Sequence, residues 1–314
     1  MSDRVFRGTT RGGAFLMLLI VGAIGVFLAI KAVPTFRLYG WRFITEAPHL
    51  WNPDRYLGGI AAMLIGSVLV AIVAIVVSFP LALFTALYIS EYAPRRLRGT
   101  LVTIMDLMAA IPSVIYGLWG VYTLQPAAQD LSRWLNTYLG FLPFFHVDAN
   151  PRDALWDQPM YEHSMFIAGL AVAMMALPMA CSIMREVFSQ TPQGEREAAL
   201  ALGGTRWGMI RSVVLPFGRG GIIGGTMLGL GRALGETVAV SLILSPTFDI
   251  TDHILQKGGN TISALIALRF GDASPTQLSV LLAAGFVLFL MTIVVNTIAG
   301  LIVARSRSGA ATEI

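Results

Sequence analysis

The chain has 314 residues, of which 55% are hydrophobic and only 13% are charged, about half the charged share of an ordinary soluble domain. That balance describes a lipid-embedded chain. A net charge of +4 does not point to nucleic acid, because the basic residues sit in short clusters between long apolar runs, with no aromatic-basic stripe. The single cysteine, Cys181, rules out an internal disulfide framework and a cysteine-based metal cluster.

Crossing a bilayer core about 30 Å thick takes roughly 20 apolar residues in a helix. Six stretches qualify. The first, 12–30, follows Arg4, Arg7 and Arg11; it is longer than a signal-peptide core and lacks a small-x-small cleavage site, so it reads as a retained span. The others are a span inside 56–90, one over about 101–122, 163–184, about 220–245, and one inside 273–304. The second and sixth stretches exceed one crossing and are expected to tilt or run on into an interfacial or aqueous helix.

Alternate loops differ in basic residues. With the N-terminus inside, the inner segments hold 13 Lys and Arg against 8 in the outer ones, which predicts that both termini are cytoplasmic. The outer loops, about 32–57, about 123–162 and 246–272, are long enough for short helices or a docking face. Within the last, the uncharged run 258–268 is too short to span and suits a short buried or re-entrant helix. His49, His146, His163 and His253 are dispersed on the outer side without zinc-ligand spacing, so they read as solvated loop residues and no metal site is expected.

Between the fourth and fifth spans, residues 195–216 read as helix, turn, helix. Thr191, Pro192 and Gln193 offer a start, Glu195 and Glu197 favour the first turn, and Gly203 with Gly204 stops it. The result is a rigid knob on the membrane surface, which by helical pattern alone reads first as an ordinary interfacial helix and second as a piece that inserts into a groove of a soluble partner. The sequence lacks a phosphate-binding loop: its only lysines, Lys31 and Lys257, are not in a Gly-x-x-x-x-Gly-Lys-Ser/Thr context. No catalytic constellation is found either.

Arg232 and Glu236 fall inside the fifth span, where four-residue spacing on a helix puts both side chains on one face. Charges at membrane depth face a protein interior or a water-filled path. Two readings stay open: a neutralised pair that locks helix packing, or an anion site in which the planar guanidinium binds a tetrahedral oxyanion while Glu236 holds it or competes for it. The surrounding glycines, 220, 221, 224, 225, 229, 231 and 235, read as close-packing positions. Asp106 in the third span reads as a snorkelling, capping or paired carboxylate ahead of a proton relay. The Ile111-Pro112-Ser113 step is expected to kink that span and expose carbonyls, making Ser113 and Tyr116 further pathway candidates.

Glu197, Ala198, Ala199, then Gly203, then Val213, Leu215 and Pro216 resemble the EAA loop of ABC importer permeases, with Val213 replacing the family's Ile. The runs 110–120 (AIPSVIYGLWG) and 224–240 (GGTMLGLGRALGETVAV) are similar to the PstC-type permeases of bacterial phosphate ABC importers. The resemblance implies an all-α protein with six transmembrane helices and type I, MetI-like architecture: an N-terminal segment 1–57, a permease core 58–304 carrying the EAA loop at about 185–219, and a tail 305–314. It implies ATPase coupling through Glu197, Ala198, Ala199 and Gly203, and a phosphate path containing Arg232 and Glu236. The implied partners are a PstA-type permease, PstB-type ATPase subunits that consume the ATP, and an external PstS-type phosphate-binding protein, all at a bacterial plasma membrane. No cofactor in the chain itself is expected. An ABC permease for another oxyanion or small solute and an ion-coupled secondary carrier using Arg232, Glu236 and Asp106 are the alternatives.

Overall fold

A computed structural model of the chain describes residues 2–47, 59–147 and 160–307, with side chains described from 6 and up to 304 at the two ends. His49, Arg55 and Arg152, parts of the first two outer loops, and residues 308–314 of the tail lie outside the described residues.

The elements are helices throughout. In chain order they are α1 (Ser2–Tyr39), α2 (Arg42–Thr45) and α3 (Ala61–Leu87), which widens into a π-helical turn at Tyr88–Tyr92. Next come α4 (Arg95–Ala110), α5 (Ser113–Trp119), a π turn at Gly120–Leu124, α6 (Gln125–Leu139) and α7 (Met165–Ser189). The coupling-loop region holds α8 (Gln193–Ala201), α9 (Arg206–Met209), a π turn at Ile210–Val214 and α10 (Leu215–Phe217). The chain then forms α11 (Arg219–Gly235), α12 (Val238–Ile243), α13 (Ile262–Arg269) and α14 (Pro275–Arg307).

Four of these are long and apolar enough to cross a membrane: Phe6–Tyr39, Ala61–Tyr92, Met165–Ser189 and Pro275–Ala304. They coincide with the first, second, fourth and sixth expected spans, although α1 runs well past residue 30. The third and fifth are not single helices. Arg95–Ala110 and Ser113–Leu139 meet at 93°, and Arg206–Phe217 and Arg219–Gly235 meet at 69°. The first break lies at the expected step: Pro112 drives Ile111 into extended backbone, ending α4. Beyond it the helix does not stop near residue 122 but continues through the π turn to Leu139, taking up the start of the expected outer loop.

The centre is the α3–α7 pair, apolar on most sides: Val70, Ala71, Ala74, Ile167, Ala168, Ala171 and Val172 are buried between them and their neighbours. Helix α11 lies on α7 along one row of glycines, 221, 225 and 229. A β-carbon there would meet Val187, Ala180 or Ala176, as small residues at four-residue spacing allow. The same is not true of Gly224 and Gly235, which have open space around them within this chain. Helix α14 covers α11 and also receives α1, where Gly25 meets Phe289 and Thr35 hydrogen-bonds Ser279 at 3.0 Å. Otherwise α1 is exposed along nearly its whole length.

Candidate functional site

Polar groups collect where α11 ends. Gly235 and Thr237 both weaken a helix, and Thr237 Oγ1 turns back to donate to the Gly235 carbonyl at 3.1 Å. Helix α11 therefore stops at Gly235, and Glu236 adopts extended backbone (φ −67°, ψ 126°) before α12 begins. This overturns the expected four-residue pairing of Arg232 with Glu236, because only Arg232 is still on the helix. Among the described residues no ion pair joins them. Glu236 is 9% exposed, and its Oε1 instead accepts from the Ala239 backbone N–H at 3.2 Å, capping α12. Arg232 is half-buried, and its Nε is buried with no hydrogen-bond partner.

Four buried polar residues that sequence reasoning missed complete this region. Ser263 Oγ donates to the Glu236 carbonyl at 2.7 Å, fixing the start of α13 beside the unwound segment. Thr261 caps α13 by accepting from Ala264 N at 3.2 Å, and Asn260 Oδ1 accepts from Thr261 N at 2.9 Å. Ser67, in the second turn of α3, accepts from Ile262 N at 3.0 Å across nearly 200 residues of sequence. Asn260 Nδ2, like Arg232 Nε, is buried without a partner. The run 258–268 thus carries the short helix the sequence predicts, as α13 (Ile262–Arg269), buried at Ile262, Ser263, Ala264 and Leu265 and exposed toward its end. A Thr-x-x-Ala start with Asn and Ser around it was the available signal; nothing marks Ser67.

Ser113 and Tyr116 behave differently from one another. The Tyr116 hydroxyl donates to the Met108 carbonyl at 2.9 Å, stapling α5 to the last turn of α4 across the Pro112 break. Ser113 is half-buried, and among the described residues no hydrogen bond joins it to Arg232 or Glu236. Gly117 and Gly120 bring α5 against Ala239 and Ile243 of α12, so the broken third span and the broken fifth span share a contact. Beside it a cavity of about 290 Å³, lined by Met108, Ile111, Ile115, Tyr116, Trp119 and Met174, is almost wholly apolar and is no anion site.

The knob between α7 and α11 has the expected form. Helix α8 begins after Pro192 and ends at Ala201. Gly203 follows with φ +83°, a left-handed conformation that favours glycine, and its N–H donates to the Leu200 carbonyl at 3.0 Å. Gly204 N–H reaches the Ala199 carbonyl at 3.3 Å, so close that a β-carbon on Gly204 would clash. Glu197 and Ala198 face outward, Ala199 is half-buried, and Leu202 at the tip is 91% exposed. After the turn, Thr205 caps α9 by accepting from Gly208 N at 3.0 Å, and Met209, Ile210 and Val214 bury into a core with Ala86, Leu87, Met184 and Phe188.

Asp106 is exposed on α4, and among the described residues it forms no ion pair with Arg95, Arg96 or Arg98. His163 is not the solvated loop residue expected. It has φ 51°, and its Nδ1 lies 2.7 Å from the Ile243 carbonyl at the end of α12, a structural node. His146 and His253 stack edge to face with centroids 5.8 Å apart. Among the described residues no group of three or more metal-binding side chains forms.

Residues 78–308 match the family described as binding-protein-dependent transport system inner membrane component. The chain belongs to that family. Membership makes it a transport component of an ABC importer rather than a catalytic one, places it in the inner membrane, and implies an ATPase and a binding protein as partners. Among its relatives, the phosphate transport system permease protein PstC 2 of Mycobacterium tuberculosis is 38% identical over 95% of this chain and 90% of its own. The PstC of Xylella fastidiosa is 36% identical over 94% and 91%. A solved bacterial ABC transporter involved in import of the acidic polysaccharide alginate shares the fold, with a TM-score of 0.54 at 20% identity over 99% of this chain and all of that one.

Proposed function

We propose that the chain is the membrane-spanning permease subunit of an ATP-driven importer of inorganic phosphate, moving the anion by alternating access. The observation that carries this reading is the state of Arg232: a half-buried guanidinium whose Nε has no partner and whose expected carboxylate is engaged elsewhere. A planar cation left with free donor capacity inside a protein core suits a tetrahedral oxyanion. With Glu236 capping α12, carboxylate and anion do not compete for the same cation. Glu236 then shapes the path by capping the start of α12 beside the break, and Tyr116 holds the opposing helix break in place. Ser113 stands half-buried at that break and is the weakest of the four pathway residues.

Glu197, Ala198, Ala199 and Gly203 would form the face that docks on the ATPase. Two are outward-facing and one shapes the turn, and the exposed Leu202 at the tip suits insertion into an apolar groove. ATP would be consumed by PstB-type subunits, a PstA-type permease would pair with this chain, and a PstS-type protein would deliver phosphate from outside. Both termini would be cytoplasmic. Relatives at 36–38% identity that bear the name phosphate transport system permease support the choice of anion.

The test is ATP-dependent phosphate uptake in vesicles holding this chain with its candidate partners, at matched insertion. Arg232→Ala is expected to lose uptake while the external protein still captures phosphate, and Glu197→Ala to lose uptake through failed coupling. Full uptake in properly inserted Arg232→Ala would remove the proposed site. Inhibition by sulfate or molybdate as strong as that by unlabelled phosphate would change the cargo.

A further inference from the structure

Helix α8 carries the outward face of the coupling loop yet has no fully buried residue. Its partner across the Gly203 turn is anchored by Met209, Ile210 and Val214 in an apolar core, whereas α8 has only Ala199 packed against that core. What ties α8 to the spans is Arg196. Its Nη1 lies 3.1 Å from Glu91 Oε1 and 3.3 Å from Oε2, and its Nη2 donates to the Phe188 carbonyl at the end of α7. The Glu91 side chain is only 4% exposed and that of Arg196 22%. Ser90 Oγ also lies within 3.2 Å of the Glu91 carboxylate. One guanidinium therefore bridges three elements: α8, the π turn that ends the second span, and the last turn of the fourth.

We infer that the Arg196–Glu91 pair is the strut through which movement of the coupling helix is passed to the second span, making both positioning residues for transport. The inference rests on the coupling reading above. A charged pair this shielded from solvent holds its geometry where a surface pair would not. It also reaches the π turn that continues α3, adding a charged tie to the apolar packing of Met209, Ile210 and Val214 beside Ala86 and Leu87. Arg206 adds a weaker tie from the far side of the turn, with its guanidinium 5.8 Å from the Tyr92 ring centre. Residues 91 and 92 are thus gripped from both arms of the loop, with the ion pair on the arm that meets the ATPase. The planar fork is needed to serve Glu91 and the Phe188 carbonyl together, which a lysine ammonium on one stem does less well.

The experiment uses the complete complex in vesicles and reads phosphate imported per ATP hydrolysed. The variants are Arg196→Gln, Glu91→Gln, the neutral double Glu91→Gln/Arg196→Gln, and Arg196→Lys. The neutral double leaves no unpaired buried charge, so it preserves assembly where a single change fails. The strut predicts that ATP hydrolysis continues while phosphate per ATP falls by about tenfold, within the range of ordinary coupling energies. It predicts the same loss in the double as in either single, with Arg196→Lys between. An inserted double mutant with the wild-type ratio overturns the strut. So does a loss of ATP hydrolysis in step with uptake, which marks a merely structural role. Wild type that hydrolyses ATP without importing phosphate would instead sink the underlying transport reading.

Discussion

Gly66→Ala should displace α13 and with it the polar centre. A β-carbon built on Gly66 would lie 2.1 Å from the Asn260 carbonyl oxygen and 3.2 Å from its carbonyl carbon, against 3.4 Å or more for ordinary contact. The obstacle is backbone, so no rotamer change relieves it; one segment must retreat by more than 1 Å. Overpacking of this kind costs about 1–3 kcal/mol. The retreat also stretches the adjacent Ser67–Ile262 hydrogen bond, adding up to about 1 kcal/mol if it breaks. The fitting control is Gly224→Ala in α11, where nothing lies within 4 Å of the new carbon. There the exchange should be neutral or stabilising by up to about 1 kcal/mol, the usual helix preference for alanine. Thermal unfolding of the purified chain in detergent compares the two. Gly66→Ala should melt clearly below wild type and Gly224→Ala at or above it. Equal melting of wild type and Gly66→Ala would refute the close approach of α13 to α3 and the placement of Ser263 beside Glu236.

Two further outcomes follow from local geometry. Gly203→Ala places an L-residue at φ +83° in otherwise open space, so the cost is conformational alone, about 1–2 kcal/mol. Hydrogen exchange of α8 amides should rise while those of α7 stay protected, and an unchanged α8 would show that the turn does not require glycine. Tyr116→Phe removes the hydroxyl that binds the Met108 carbonyl across the Pro112 break, a loss of about 0.5–1.5 kcal/mol. The expected readout is a small fall in melting temperature with a larger fall in uptake; wild-type values for both would deny Tyr116 its stapling role.

Much of this molecule was legible in the residue order. Uncharged runs of bilayer length require helices because lipid offers the backbone no other hydrogen-bond partner. Four spans, the break at Pro112 and the short helix α13 (Ile262–Arg269) accordingly lie where local chemistry puts them. The Gly203 turn was equally local, since a left-handed residue after α8 needs only its own conformation and the carbonyls behind it.

What sequence could not decide was which distant groups compete for one side chain. Four-residue spacing makes Glu236 the natural partner of Arg232 only if the helix continues. It stops because Thr237 and Gly235 favour unwinding and because Ser263, brought in by α13, binds the freed Glu236 carbonyl. Ser67 and Glu91 carry no mark in a one-dimensional reading, and Asn260 only that of a neighbour to a helix cap. Their roles come from contacts made across the fold, to Ile262, to Arg196 and to the core beside Gly66. The residue order determined the helices because their hydrogen bonds close within a few residues. Packing decided the site, because a buried polar group takes whichever partner the fold delivers to it.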